Sequence, residues 1–185
     1  MARLYLLAAS CNVLVLVLIL VSAFGAQLIF GEPPCPLCVI QRVAFMMCAL
    51  GPLYTLLQSR DGALRYRAIA IGSGISIVSA LLGATAATRH VLLHILPGDQ
   101  GFASPLLGLH FYTWSLIAFI SQIAASGLML ISAAWIDEQR VPARMTNVPA
   151  IAFLVIVVAN LLSVIAEAGF NWELPSDPVG YLLFK

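Results

Sequence analysis

The residues with the clearest chemistry are Cys35 and Cys38, which stand two positions apart in the stretch GEPPCPLCVIQR. Thiols at this spacing can close on each other as a disulfide and open again, so the pair predicts a redox-active dithiol. Arg42 follows Cys38 by four residues, which places both side chains on one face of a helix. A fixed cation there would stabilise a thiolate and any negative charge that develops on an electron acceptor.

Prolines around the two cysteines predict where that helix begins. Pro33 and Pro34 keep the approach extended, and Pro36 suits the first helical turn. Cys35 is then expected near the helix cap and Cys38 within the first turn. Unpaired backbone N–H groups and the positive end of the helix dipole favour a thiolate at this place.

Other interpretations of these residues remain open. A purely structural disulfide would close only a small loop, which removes little entropy from the unfolded chain. A zinc site would need a second cysteine pair with ligand spacing, but Cys11 and Cys48 lie inside apolar runs and are typical of small core residues. We therefore expect no metal. For Arg42, the structural alternative is a side chain that snorkels to the membrane surface.

The composition shows what kind of element must hold the dithiol. The chain has 185 residues, of which 62% are hydrophobic and 9% charged, and its mean hydropathy is +1.01. A soluble domain averages about 25% charged residues, so the solvent of this chain is a lipid bilayer. A net charge of +1 gives no basic surface for nucleic acid.

Charged residues divide the chain into apolar runs long enough to cross a membrane, which takes about 20 residues per helix. Five transmembrane helices are predicted, at residues 4–30, 36–58, 67–92, 111–136 and 148–168. The first run exceeds the usual signal-peptide core of about 7–15 residues, so we expect a helix there and not a cleaved leader. The fold class is therefore an all-α integral membrane protein.

The distribution of basic residues predicts the orientation. With the N-terminus in the cytoplasm, six arginines are cytoplasmic (Arg3, Arg60, Arg65, Arg67, Arg140 and Arg144), whereas Arg42, Arg89 and Lys185 fall at the opposite ends. The positive-inside rule then favours a cytoplasmic N-terminus, and five spans put the C-terminus on the outer side. We expect four helices within residues 1–136, a cytoplasmic loop at 137–147, and a fifth helix with an outer tail at 148–185.

An acceptor for electrons from this dithiol should be soluble in lipid. No glycine-rich or phosphate-binding motif for a nucleotide cofactor is present in the sequence. A quinone diffuses in the bilayer and takes up two electrons and two protons, which makes it the natural candidate.

The stretch CPLCVIQR, at the start of the second predicted helix, resembles bacterial disulfide bond formation protein B, the DsbB family. The similarity continues in RHVLLHILP at the end of the third helix and covers about residues 1–136. It implies a four-helix bundle that passes electrons from a periplasmic thiol oxidase, DsbA, to ubiquinone or menaquinone.

The resemblance also implies roles for single residues. By position, Cys38 is similar to the quinone-facing cysteine of the family, and Cys35 to the partner that exchanges with incoming thiols. Arg42 matches the arginine of the quinone site. His90 falls where the family has a histidine near the quinone, and its structural alternative is an interfacial residue at a helix end.

Two features depart from the family pattern. Typical members carry a second cysteine pair in an outer loop, but here LPGDQGFASPLLGLH contains no cysteine. Some relatives place such a pair in a C-terminal tail, whereas this tail reads EAGFNWELPSDP, with Ala168 where a cysteine would be expected. The chain is therefore expected to be a divergent member without the second pair, which affects the DsbA partnership more than the quinone site.

Three functions are consistent with these residues. The first is a quinone-linked thiol:disulfide oxidoreductase of the bacterial inner membrane, which takes electrons from a DsbA-like thiol oxidase or another thiol donor. The second is a non-catalytic or assembly subunit of a larger membrane complex. The third is a haem protein that uses His90, His94 and His110, although a membrane haem usually binds histidines that face each other on two helices.

Overall fold

The computed structural model describes residues 2–135, 147–169, 171 and 180–184. It contains five α-helices: α1 (Ala2–Ile29), α2 (Pro36–Gln58), α3 (Tyr66–Leu93), α4 (Phe111–Ser132) and α5 (Asn147–Ala168). Short 3-10 turns lie at Ser59–Asp61, Ala133–Trp135 and Leu182–Phe184. All five helices are long and apolar enough to cross a membrane, and the described residues form no strand.

The predicted fold class is confirmed. The predicted boundaries of α1, α2, α3 and α5 agree with the structure to within two residues. The α4 helix becomes a 3-10 turn after Ser132, and the predicted end of that span at residue 136 lies outside the described residues. The predicted loop at 137–147 also lies outside the described residues, except for Asn147, which begins α5. Most of the tail after Gly169 lies outside them too.

The helices pack mainly against their neighbours in sequence. Contact is most extensive between α2 and α3, followed by α3 with α4 and α1 with α2. The α5 helix lies along α1 and touches α2, whereas the backbones of α1 and α4 stay apart and the two helices meet through side chains such as Asn12 and Met129. Large apolar side chains of α4 and α5, including Leu128 and Leu154, remain exposed, and lipid is the solvent that suits them.

The α2 and α3 helices approach each other closely at a pair of glycines. A Cβ atom added to Gly51 would collide with the carbonyl oxygen of Gly72, and one added to Gly72 would collide with the hydroxyl of Thr55. Beside them, the hydroxyl of Ser76 donates to the carbonyl of Cys48. Small residues that let backbones meet are a common basis of helix packing in membranes. We call these five residues the glycine seam.

One end of the bundle, which we call the site end, gathers the last turns of α1, α3 and α5 and the first turns of α2 and α4. The loop at residues 94–110 covers it and is tied to the segment before α2. Ser104 donates to the Glu32 carboxylate from its backbone N–H at 3.1 Å and from its hydroxyl at 2.7 Å. Within the loop, the Asp99 carboxylate contacts His94 at 3.2 Å and accepts the N–H of Gly101 at 2.8 Å.

Candidate redox site

The α2 helix begins with the cysteine pair, as the prolines predicted. Cys35 is the N-cap in an extended conformation, and its Sγ accepts the backbone N–H of Cys38 at 3.2 Å. Pro36 occupies the first turn, where its missing N–H leaves no bond unmade. Both cysteines are free thiols in this structure.

His90, in the last turn of α3, lies against Cys35. Its Nε2 is 4.0 Å from the Cys35 Sγ, and the ring is only 2% exposed. The amide nitrogen of Gln41 lies 3.2 Å from Nδ1, so Nε2 is the ring nitrogen that faces the sulfur. The pKa of the Cys35 thiol is well below its usual range, because the Cys38 thiol and the His90 ring both hydrogen-bond to it. The thiolate of the reduced pair therefore forms on Cys35.

Arg42 lies one helical turn after Cys38 and is only 7% exposed. Its guanidinium donates to the Gln27 side-chain oxygen at 2.7 Å and to the Ala23 carbonyl at 3.1 Å, both on α1. It also lies 5.1 Å from the centre of the Phe24 ring. The side chain is thus held inside the bundle, and the structure does not show the surface snorkelling considered above.

The network around Arg42 reaches α5 through Gln27. The Gln27 amide nitrogen donates to the Ser163 hydroxyl at 2.8 Å and to the Tyr181 hydroxyl at 2.9 Å. Glu167, one turn after Ser163, is fully buried. Neither of its carboxylate oxygens has a hydrogen-bond partner among the described residues.

A cavity of about 350 Å³ opens beside Cys38, and we call it the Cys38 cavity. Its polar lining includes Gln27, Gln41, Arg42 and His90 together with Cys38, and also Glu32, Ser22 and Ser115. Its apolar lining includes Leu20, Phe45, Phe102, Leu106, Tyr112 and Trp114. The rim includes Ser22 of α1 and Ile117 of α4, which are exposed on the outer surface of the bundle, so the cavity opens sideways between these two helices.

A second cavity, of about 360 Å³, lies on the other side of the dithiol, and we call it the Cys35 cavity. It is lined by Cys35, Pro36, Leu37, His90, Leu93, His94 and Phe102. The two cavities share His90 and Phe102, but each touches a different cysteine. The dithiol therefore separates two spaces that different molecules can occupy.

The two thiols and the His90 ring also form a possible set of metal ligands, since their ligand atoms all lie within 4.8 Å of one another. Two cysteines and one histidine suit zinc. Zinc would hold both sulfurs as thiolates, which competes with the formation of a disulfide between them.

The structure brings together all four residues singled out in the sequence, which are Cys35, Cys38, Arg42 and His90. His94 and His110 also come near, because both rings pack on Tyr112 with centroids 5.6 and 5.2 Å away. His90 packs on the same ring at 4.5 Å. A membrane haem requires histidines that face each other across a gap. The three imidazoles here pack around one tyrosine and do not have that arrangement.

Sequence reasoning missed Gln27, Gln41, Tyr112 and Glu167. Gln27, Gln41 and Glu167 could have been found from the sequence, since amide and carboxyl side chains inside apolar spans usually mark buried networks or functional sites. Tyr112 carried none, because an aromatic residue at a helix start is common at membrane interfaces.

Comparison with known proteins agrees with this geometry. The family model for disulfide bond formation protein DsbB matches residues 5–104, more than half of the chain, and includes all four predicted site residues. Disulfide bond formation protein B 2 of Burkholderia lata is 29% identical over 136 residues, which covers 57% of this chain and 77% of that protein. Disulfide bond formation protein B of Xanthomonas campestris is 37% identical over 82 residues, which covers 44% of this chain and 46% of that one. No solved structure gave a significant match.

Fold and site together define a multi-pass helical membrane protein with a dithiol at one end of its bundle. The chain belongs to the DsbB family of disulfide bond formation proteins, so the predicted resemblance is confirmed. The matched region ends before α4, so α4 and α5 lie outside it.

Proposed function

We propose that this protein is a quinone-linked thiol:disulfide oxidoreductase of the bacterial inner membrane. The observation that carries the proposal is the dithiol between two cavities, each of which touches one cysteine. The arginine distribution supports a cytoplasmic N-terminus, which puts the site end and the C-terminus at the periplasm. Electrons would enter through Cys35 and leave through Cys38.

The Cys38 cavity fits the ring of ubiquinone or menaquinone. It is mostly apolar and opens toward lipid, as a hydrophobic acceptor requires, and Arg42 and His90 supply charge and hydrogen bonds within it. A bound quinone would accept two electrons and two protons and leave as a quinol. In this assignment Arg42, His90 and Cys38 form the quinone site.

The chain's own residues account for the thiol chemistry. Two donor thiols become a disulfide, and their two electrons and two protons reduce the Cys35–Cys38 disulfide to two thiols. Reoxidation re-forms the S–S bond and releases two electrons and two protons. The thiolate rests on Cys35, so a charged Cys38 beside Arg42 requires its proton to pass to Cys35 through the hydrogen bond between the two groups.

The Cys35 cavity is the proposed entry for the donor thiol. The sequence contains no second cysteine pair to receive electrons first, since Cys11 and Cys48 lie within helices. A donor must therefore reach Cys35 through a cavity bounded by Pro36, Leu37 and Leu93. We expect small or extended thiols to react faster here than a full-sized DsbA-like oxidase.

The two half-reactions can be measured separately, which tests this division of labour. Leu93→Trp narrows the Cys35 cavity and should slow reduction of the disulfide by a cysteine-containing peptide, without slowing oxidation of the dithiol by quinone. Leu92→Trp is the matched control, because Leu92 is exposed beside it but does not line the cavity.

The reverse pattern is expected on the acceptor side. Ala118→Phe places a ring in the Cys38 cavity and should slow only the oxidation by quinone. Ala124→Phe, at an exposed position of the same helix, should leave both half-reactions unchanged. Equal slowing of both half-reactions by each cavity variant would contradict the two-sided assignment.

The missing second cysteine pair favours one other function, a non-catalytic or assembly subunit of a larger membrane complex. Thiol alkylation with mass detection separates the two functions in native membranes. An oxidoreductase shows Cys35 and Cys38 changing from alkylated to protected when quinone is added, whereas a scaffold shows the same state with and without it.

A further inference from the structure

Glu167 is a buried acid that the proposed chemistry does not use. It lies in the last turn of α5, is 0% exposed, and neither of its oxygens is hydrogen-bonded among the described residues. A carboxyl group in such a place is expensive to keep charged unless a cation is near. Its position therefore needs an explanation.

The groups that face Glu167 come from every element packed on α5. From α2, the Arg42 guanidinium and the Cys35 thiol act on it through their charges. From α1, the uncharged Gln27 lies between Arg42 and α5, bonded to Ser163 one turn before Glu167. From the C-terminal segment, the Tyr181 hydroxyl bonds to Gln27.

Arg42 interacts through its charge with Cys38, Cys35, Glu167 and the Tyr181 phenol. The cysteine pair and Glu167 are the thiol and carboxyl acids among these groups. One buried cation balances one anion, and a second anion would be left uncompensated in a medium of low dielectric constant. A thiolate on the cysteine pair and a carboxylate on Glu167 therefore compete for Arg42.

We propose that Glu167 is the resting counter-ion of Arg42 and yields that role, by taking up a proton, when negative charge forms on the Cys35–Cys38 pair. Glu167 is thus a positioning residue that acts through Arg42, and the α5 helix contributes to the site from outside the region matched by the family model.

The exchange balances within the proposed cycle, on which it rests. When a cysteine of the reduced pair loses its proton, Glu167 gains one, so the charge of the buried site does not change. When the S–S bond re-forms, the electron pair leaves with the quinone, and Glu167 releases its proton. Of the two protons that accompany those electrons, one comes from the remaining thiol and one from Glu167.

The test is the pH profile of Cys38 alkylation in a Cys35→Ser background, read at the Cys38 peptide by mass spectrometry without quinone. Glu167→Gln removes the competing charge, so Arg42 should stabilise the Cys38 thiolate more strongly. We expect the midpoint to move to lower pH, with alkylation about three- to tenfold faster at a fixed pH below it. Glu167→Asp keeps the charge and should restore the original profile.

Ser163→Ala is the matched control, since it removes a hydrogen bond of the same network but no charge, and it should not move the midpoint. An unchanged midpoint in Glu167→Gln, or the same shift in Ser163→Ala, would overturn the proposal. In that case quinone-dependent cycling of the wild-type dithiol would still support the proposed function, so the two failures are distinguishable.

Should Glu167→Gln not accumulate in membranes, the wild-type protein provides a second measurement. Infrared difference spectra between the oxidised and reduced protein should show the carbonyl stretch of a protonated carboxylic acid appearing on reduction. Its absence would equally contradict the exchange.

Discussion

The glycine seam and the site end show two ways in which this bundle handles polar groups within a membrane. At the seam, two backbones meet directly, and hydroxyl side chains such as those of Thr55 and Ser76 bond to backbone carbonyls. At the site end, polar side chains bond mainly to one another, and two cavities remain between them. The glycine seam fixes the helices relative to each other, so the site end can keep its cavities and its reactive groups without collapsing.

The difference follows from what each region requires, which is close helix packing at the glycine seam and space for a ligand at the site end. A seam of small residues gains from close packing and leaves no space for a ligand. A reactive site needs space, so its charges must be held by directed bonds from several helices. Arg42 illustrates this, because among the described residues its two hydrogen bonds and its ring contact all come from α1, a different helix from its own.

The largest effect is expected when a reactive cysteine is replaced, which removes the chemistry without disturbing the packing at the glycine seam or the site end. Cys38→Ser should abolish turnover and leave Cys35 free to form a stable mixed disulfide with its thiol donor. Cys35→Ser should trap no donor, because Cys38 faces the other cavity. Non-reducing electrophoresis of native membranes detects the adduct. Trapping by Cys35→Ser alone would reverse the assigned directions.

The second-largest effect is expected when the packing at the glycine seam is disrupted. Gly72→Val places a side chain against the Thr55 hydroxyl and the Gly51 backbone, and overpacking of this kind costs about 1–3 kcal/mol. We expect a lower midpoint of thermal unfolding in detergent and a proportional loss of activity. Gly74→Val is the control, since a Cβ there meets nothing within 4 Å. Equal destabilisation by both variants would show that helix propensity, and not the seam, is responsible.

A smaller effect is expected when the site end loses the positive charge of Arg42. Arg42→Leu should leave the protein inserted and raise the apparent KM for quinone about 10- to 100-fold, as expected for loss of a hydrogen bond to a charged group. Steady-state kinetics with a soluble quinone analogue measures this. Unchanged quinone kinetics would reduce Arg42 to an anchor between α2 and α1.

The smallest effect concerns His90. Because the imidazole beside Cys35 helps to hold the pKa of that thiol low, His90→Ala should raise it. Alkylation of Cys35 at a pH below the new midpoint should then slow, while the rate at high pH stays the same. A uniform decrease at every pH would instead indicate blocked access to the Cys35 cavity.

The sequence predicted the helices well because membrane spans depend on length and polarity, which are local properties. It also located Cys35, Cys38 and Arg42, since all three lie within one turn or two of a single helix. His90 required the family resemblance, because its partners Gln41 and Cys35 lie on another helix. The roles of Gln27 and Glu167 depend on how α1 and α5 pack against Arg42, which no local pattern specifies.

The sideways opening of the Cys38 cavity has a consequence for how the protein's kinetics should be expressed. A hydrophobic acceptor that enters between Ser22 and Ile117 arrives by diffusion in two dimensions, from a pool measured as a mole fraction of the lipid. The proposed thiol donor would arrive from water and would be measured per volume. Adding lipid at a constant total amount of quinone would then dilute the proposed acceptor but not the donor. The apparent affinity for quinone should therefore change with membrane content, while the apparent affinity for the thiol donor stays constant.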